Sequence, residues 1–162
     1  MTAFVAGDGF LRLGDRRWRA AIGERGIVDH KEEGDRGTPR GVLALHRVMF
    51  RADRVAAPRC MVPIEPIARN DGWCDDPAHP DYNRMIRLPH PARHEDLWRA
   101  DGLYDVIGVL GWNDAPPVRG RGSAVFLHVA RPDYAPTAGC ITLALPDLLD
   151  ALAVGLTAIG IG

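Results

Sequence analysis

Alternating apolar and charged positions in the first third of the chain predict β-strands. Phe10–Leu13 and Arg17–Ile22 flank a Gly-Asp turn at positions 14–15 and predict a β-hairpin. Val42–Phe50 is a longer β-prone run that alternates in its second half. Between these segments, Gly23–Gly41 is rich in glycine and charge and has little periodicity, so we expect it to be a loop.

The middle of the chain has weaker patterns. Three prolines within residues 56–66 indicate an irregular, extended segment. Residues 70–84 are polar and contain Trp73 and Tyr82, and we interpret them as a long loop that these two aromatic residues anchor over a functional site. Residues 93–99 carry an adjacent Leu-Trp pair and are a candidate for a short helix.

The last third returns to short apolar runs. Leu103–Leu110, Ser123–Val129 and Ile141–Leu143 predict core strands. Pro146 at a favoured first position starts a helix that Gly155 ends, with leucines 148, 149 and 152 on one face. The pattern therefore predicts a mainly β sandwich or barrel-like fold of mixed sheet, with one clear helix near its end and at most one other short helix.

Composition narrows the range of functions. A chain of 162 residues fits one domain, residues 1–162. With 20 basic and 21 acidic residues, its net charge of −1 gives no general attraction to nucleic acid or to an anionic membrane. Nothing in the sequence suggests a cofactor or an oligomeric state. The Cys, His and carboxylate residues within 70–84 lack the spacing of a zinc motif, so no metal site is predicted.

Two sequence features bear on cellular location. The first residues have neither a basic start nor the apolar stretch of a secretory signal. No apolar run reaches the ~18 residues that a membrane-spanning helix needs. We therefore expect a cytoplasmic protein, with a periplasmic location as the alternative.

Cys140 is the strongest candidate for chemistry. It follows Gly139 and a Pro-Thr turn, and His128 lies twelve positions upstream at the end of a predicted strand. A histidine that accepts the thiol proton activates a cysteine nucleophile, and a glycine leaves backbone amides free to face an oxyanion. On composition alone, a buried and purely structural role for Cys140 remains an alternative. Cys74 is a rival nucleophile that Asp75 and Asp76 disfavour, and a Cys60–Cys74 disulfide also remains open.

Two sequence blocks resemble a known family. His128, Thr137, Gly139 and Cys140 resemble the His…[Ser/Thr]-x-Gly-Cys signature of YkuD-type L,D-transpeptidase catalytic domains. Residues 31–41, KEEGDRGTPRG, are similar to the earlier K-x-x-G-D-G-x-T-P-x-G segment of that family. The resemblance spans roughly residues 25 to 145 and implies the same mainly β fold.

The resemblance also implies a reaction and its catalytic residues. In this family a cysteine attacks the carbonyl of meso-diaminopimelate in a peptidoglycan stem tetrapeptide and releases the terminal D-alanine. Cys140 is then the nucleophile and His128 the base, with the Val129 carbonyl orienting the imidazole. Amides around Gly139 and Cys140 would hold the oxyanion.

The expected substrate contacts come from several segments. Thr137, Ala138 and Thr142 lie beside the nucleophile, Trp73 belongs to the covering loop, and Arg121 is placed to reach a substrate carboxylate. Around the histidine and the cysteine, the chain departs from the family pattern in three ways: valine follows the histidine, Thr142 replaces the usual arginine, and the spacing of twelve is short.

Two fates of the thioester remain open. Water would make the protein an L,D-carboxypeptidase that trims tetrapeptides or muropeptides in wall recycling, as in the branch of the family without signal peptides. An amine of a second stem would make it a cross-linking L,D-transpeptidase. We favour the first because no export signal is visible. A module that binds wall peptides without turnover is the remaining alternative.

Overall fold

The computed structural model describes all 162 residues and consists mainly of short β-strands. In chain order the strands are β1 (Thr2–Val5), β2 (Phe10–Leu13), β3 (Arg16–Ala21), β4 (Ile27–Val28), β5 (Thr38–Pro39), β6 (Gly41–Phe50), β7 (Ile64–Pro66), β8 (Asp71–Cys74), β9 (Met85–Arg87), β10 (His94–Asp96), β11 (Val106–Leu110), β12 (Phe126–Val129), β13 (Ile141–Leu143) and β14 (Ala158–Ile161). Helix α1 (Leu145–Ala153) lies between β13 and β14.

Eight strands close into a barrel. Their order is β11-β12-β13-β3-β2-β1-β14-β6, and β6 also pairs with β11, which joins the two ends of the sheet. Closure is possible because the ten-residue β6 serves two neighbours, pairing with β14 through its first half and with β11 through its second. The β1–β14 and β12–β13 pairs are parallel and most others antiparallel. The prediction of a mainly β, barrel-like mixed sheet is confirmed.

The core of the barrel is a cluster of 22 buried apolar residues. Helix α1 adds Leu148, Ala151 and Leu152 to it, while Leu149 is only partly buried. The helix has Pro146 in its first turn and ends before Gly155, whose φ of 107° suits glycine. The predicted helix is therefore confirmed.

A small second sheet forms where the sequence predicted a loop and a short helix. Its order is β10-β8-β9, so residues 71–74 form a buried central strand, and the prediction of a loop over residues 70–84 is wrong there. Gly72 permits this packing, because a Cβ there would lie 2.9 Å from the Leu88 side chain. Trp73 faces the barrel and packs edge-on against Phe126 at 5.2 Å.

The predicted helix at residues 93–99 is also wrong. His94–Asp96 pair with β8 as strand β10, and the Leu97 amide donates to the Asp71 carbonyl at 3.0 Å. Leu97 is fully buried, and Trp98 lies under the Arg51 guanidinium, 3.5 Å from ring centroid to Cζ. Leu97 and Trp98, the apolar pair that suggested a helix, therefore make tertiary contacts instead.

The segment from 23 to 41 is a loop, as expected, apart from a two-residue parallel pairing of β4 with β5. All three cysteines are free, so the Cys60–Cys74 disulfide that the sequence left open is absent. No helix has the length and apolar character needed to cross a bilayer.

Candidate active site

The turn that carries Cys140 is held by Thr137. Its hydroxyl accepts the Gly139 N–H at 3.0 Å and donates to the Cys140 carbonyl at 2.7 Å. Its backbone bridges to Gly23 in the loop after β3. Because the hydroxyl proton is used within the turn, Thr137 shapes the turn, and its expected substrate contact, through the remaining lone pair, stays a prediction.

Gly139 is required by its backbone and by its neighbours. Its φ is 140°, and a Cβ there would lie 2.8 Å from the Gly37 carbonyl oxygen and 3.4 Å from Lys31 Nζ. Its carbonyl accepts a hydrogen bond of 2.9 Å from the Thr38 hydroxyl. The two sequence blocks that suggested the family therefore meet in space, with residues 31–38 supporting the turn before Cys140.

Lys31 and Asp35 form a buried ion pair beneath this turn, at 2.5 Å. Burial acts to raise the pKa of Asp35, but hydrogen bonds from Lys31 and from two backbone amides outweigh it, and the pKa is lowered overall. The Asp35 carboxylate therefore stays ionised at neutral pH and accepts these hydrogen bonds beneath the turn.

Cys140 is held as a neutral thiol. Its Sγ donates to the Ala124 carbonyl at 3.2 Å and accepts the Phe126 N–H at 3.4 Å. Burial, with a smaller contribution from the charge of Glu95, raises the pKa of Cys140 to about 12. The cysteine residue is still partly exposed, so a substrate can reach it.

His128 is held as a neutral imidazole. The ring is buried at the end of β12, and Nδ1 donates to the Val129 carbonyl at 3.0 Å, which leaves Nε2 as an acceptor. Burial lowers the pKa of His128 to about 4, although the carbonyls of Val129 and Leu103 act in the opposite direction. Val129 thus makes the contact that the sequence led us to expect.

One backbone amide is available for an oxyanion. The Gly139 N–H is bonded to Thr137, whereas the Cys140 N–H makes no hydrogen bond within the chain. A free donor on the nucleophile itself is well placed for the charge that develops on an attacked carbonyl.

Two clefts open on either side of Cys140. The histidine cleft, of about 270 Å³, contains His128, Val129, Arg99 and Arg131. The lysine cleft, of about 230 Å³, contains Lys31, Glu33, Asp75 and Gly139. Four residues border both clefts: Arg36, Glu95, Ala138 and Cys140. The predicted residues Cys140, His128, Val129, Gly139 and Ala138 are therefore together at one site.

Three residues predicted to contact substrate lie elsewhere or point away. Trp73 is buried in the small sheet, its indole N–H donating to Asn83 at 3.0 Å, and borders neither cleft. Arg121 is exposed on the loop before β12 and also borders neither. Thr142 lies beside the histidine cleft, but its Oγ1 is buried and has no hydrogen-bond partner.

Glu95 and Tyr104 are site residues that the sequence reasoning missed. The Tyr104 hydroxyl donates to Glu95 at 2.7 Å, and its ring packs edge-on against His128 at 5.0 Å. Burial raises the pKa of Glu95, with the Tyr104 hydrogen bond opposing this, and burial followed by the Glu95 charge raises the pKa of Tyr104. The sequence predicts a helix over residues 93–99 and therefore does not indicate that Glu95 lies on a strand and faces the clefts.

One group outside the clefts has the composition of a metal site. His79, Asp81 and His90 bring their ligand atoms within 4.8 Å of one another. However, Nδ1 of each histidine accepts a backbone N–H, from Asp81 at 3.0 Å and from Ala92 at 3.1 Å. Nε2 of His90 lies 3.0 Å from Asp81. Three of the four imidazole nitrogens therefore already have protein partners, and the absence of a metal stays a prediction.

A glycine-presented cysteine, a neutral histidine and a free backbone amide on one cleft define a site for acyl transfer through a thioester. The model of the YkuD family, the L,D-transpeptidase catalytic domain, matches residues 3–159, and the chain belongs to this family. The resemblance inferred from the two sequence blocks is therefore confirmed. The family is one of enzymes with a cysteine nucleophile that act on peptidoglycan. No curated protein and no solved structure matched the chain.

Proposed function

We propose that the protein is an L,D-carboxypeptidase that removes terminal D-alanine from peptidoglycan stem tetrapeptides. The observation that carries this proposal is the meeting of Cys140, His128 and the free Cys140 amide at the histidine cleft. Each supplies one requirement of acyl transfer: a nucleophile, a base and an oxyanion donor.

Acylation begins when Sγ leaves the Ala124 carbonyl and attacks the diaminopimelate carbonyl. His128 Nε2 takes the thiol proton as the carbon–sulfur bond forms, and the Cys140 N–H donates to the oxyanion. The tetrahedral intermediate then breaks its carbon–nitrogen bond, and the imidazolium returns the proton to the departing D-alanine amine. Since both partners start neutral, proton transfer accompanies attack.

The position of the base orients the substrate. His128 borders the histidine cleft and not the lysine cleft, so the D-alanine that it protonates leaves through the histidine cleft. The diaminopimelate side then occupies the lysine cleft. Glu33, Asp75 and Glu95 border that cleft, and carboxylates suit the ammonium group of diaminopimelate.

Water is the proposed acceptor. Once D-alanine has left, a cleft of about 270 Å³ is vacant beside the thioester, and Arg131, Pro136 and Ala138 at its rim are exposed. Water can enter there, and neutral His128 can remove its proton as it attacks. The same thioester could instead react with an amine of a second stem, which is the transpeptidase alternative.

The test is mass spectrometry of a disaccharide tetrapeptide incubated with the pure protein, with and without excess acceptor stem. We expect tripeptide and free D-alanine in both reactions. A diaminopimelate-to-diaminopimelate dimer as the main product would favour the transpeptidase. Binding without product would favour the non-catalytic module.

Variants of two cysteines provide the matched control. Cys140→Ala is expected to abolish turnover, whereas Cys74→Ala should retain most of it, because buried Cys74 borders neither cleft. Activity that survives in Cys140→Ala, or equal loss in both variants, contradicts the assignment of the nucleophile.

A further inference from the structure

Three arginines from distant segments border the histidine cleft. Arg36 belongs to the loop before β5, Arg99 follows β10, and Arg131 follows β12. Glu95 is the one carboxylate among the residues that line this cleft. The residues that line the cleft into which the leaving group departs therefore include more basic than acidic side chains.

Arg99 is held in a layer with the catalytic base. Its guanidinium lies 5.0 Å from the centroid of the Tyr104 ring, and that ring packs against the His128 imidazole at a further 5.0 Å. Its ion pair with Asp101 fixes the guanidinium from the other side, at the surface. The positive charge therefore has a defined position next to the base.

Arg131 lies beside this ion pair. The pKa of Asp101 is lowered chiefly by the hydrogen bond from Arg99, and Arg131 adds a smaller contribution. Arg131 is exposed and has no ion-pair partner of its own, whereas Arg36 pairs with Glu24. Its five N–H donors are therefore available to a ligand in the cleft.

Arg36 has an unusual backbone. Its φ of 60° lies in the left-handed region, which residues with a side chain rarely adopt. Such conformations cluster at functional sites, and Arg36 borders both clefts next to the nucleophile. Arg36 therefore borders the site. Its ion pair with Glu24 holds the guanidinium at the rim of the clefts.

We propose that Arg99 and Arg131 form a carboxylate subsite that binds the free α-carboxylate of the amino acid leaving Cys140. The inference rests on the proposed function, because it takes the direction of the leaving group from the position of His128. Guanidinium groups bind carboxylates through paired, charge-assisted hydrogen bonds. The enzyme then recognises the end of a peptide, and a substrate whose last carboxyl is blocked loses these bonds.

The test compares a tetrapeptide that ends in D-alanine with one that ends in D-alaninamide. Charge-assisted bonds of this kind correspond to a difference of about ten- to hundredfold. We expect the wild type to prefer the free acid by at least tenfold in kcat/KM, mainly through KM. In Arg131→Gln and in Arg99→Gln this preference should fall to about twofold.

Two controls separate loss of the subsite from loss of folding. Turnover of the amide should fall much less in Arg131→Gln than turnover of the free acid, and Arg17→Gln, an exposed arginine on β3 that borders neither cleft, should retain the full preference. Equal turnover of acid and amide by the wild type, or an intact preference in Arg131→Gln, overturns the proposal.

A binding measurement keeps the subsite testable when turnover fails. Calorimetry with Cys140→Ala measures the affinity for the free-acid and amide tetrapeptides without chemistry. A preference for the acid that Arg131→Gln removes supports the subsite even when the wild type yields no product, an outcome that contradicts only the proposed function. Absence of binding, or equal binding of both peptides, overturns the subsite.

Discussion

Cys140 and His128 are both held in the neutral state, and this leads to a specific prediction. The pKa of Cys140 is raised to about 12 by burial and by Glu95, and the pKa of His128 is lowered to about 4 by burial. Both pKa shifts therefore oppose moving the proton from thiol to imidazole before substrate binds. The free enzyme should contain almost no thiolate–imidazolium ion pair.

Reactivity with a small disulfide measures this state. At pH 8 a cysteine of ordinary pKa is roughly one-quarter thiolate, while Cys140 should be about one part in ten thousand thiolate. A thiolate of higher pKa is intrinsically more nucleophilic, which raises the exchange rate per thiolate by about one and a half orders of magnitude. The net expectation is exchange about fiftyfold slower than in an unstructured cysteine peptide, with the logarithm of the rate rising linearly up to pH 10.

The assay uses a Cys60→Ser/Cys74→Ser protein, in which Cys140 is the one thiol. Glu95→Gln should speed exchange about threefold, because removing a nearby negative charge lowers the pKa of Cys140 and part of the gain in thiolate is offset by lower nucleophilicity. Glu32→Gln, an exposed carboxylate outside both clefts, should have no effect. A rate that levels off with a midpoint below pH 8 would refute the neutral pair, because restricted access lowers the rate without creating such a plateau.

Three further substitutions test the supporting structure. Thr142→Val should raise the free energy of unfolding by about 1 kcal/mol, measured in urea, because it removes a buried hydroxyl without a partner; a loss of turnover would instead give Thr142 the predicted substrate contact. Lys31→Met should cost about 3–5 kcal/mol by leaving Asp35 unpaired, and this difference should shrink as pH falls through the lowered pKa of Asp35, where the carboxylate becomes protonated. Gly139→Ala should reduce turnover at least tenfold, because its φ is 140° and its Cβ would meet a backbone oxygen at 2.8 Å, whereas Gly7→Ala, with no neighbour within 4 Å, should be silent.

The parts of the fold that could be predicted are those with local patterns. The first hairpin, β6, β11, β12, β13 and α1 all have a clear period or a run of apolar residues. The small sheet has neither, since its strands Asp71–Cys74 and His94–Asp96 have the composition of turns. They become strands because they pair with each other and pack on the barrel, a non-local effect that overrides propensity.

The same division applies to the site residues: those with a local sequence signal could be predicted, and those that only the fold brings together could not. Cys140 and His128 stand in recognisable local settings, a glycine turn and a strand end, so their types and spacing identified them. Arg99 and Arg131 look like any of the 20 basic residues until the fold brings them to one cleft. The sequence predicts a loop around Trp73 and so places this residue at the site, whereas the strand turns it toward Phe126.

The position of β14 affects how the barrel can fold. Residues 158–161 lie between β1 and the first half of β6, with which they pair in parallel and antiparallel fashion. Until they pair, both neighbours present open edges, and unpaired edges invite association with other chains. Contacts between segments so far apart in sequence also form slowly. Refolding at high protein concentration should therefore lose yield to aggregation, and refolding at low concentration should recover it.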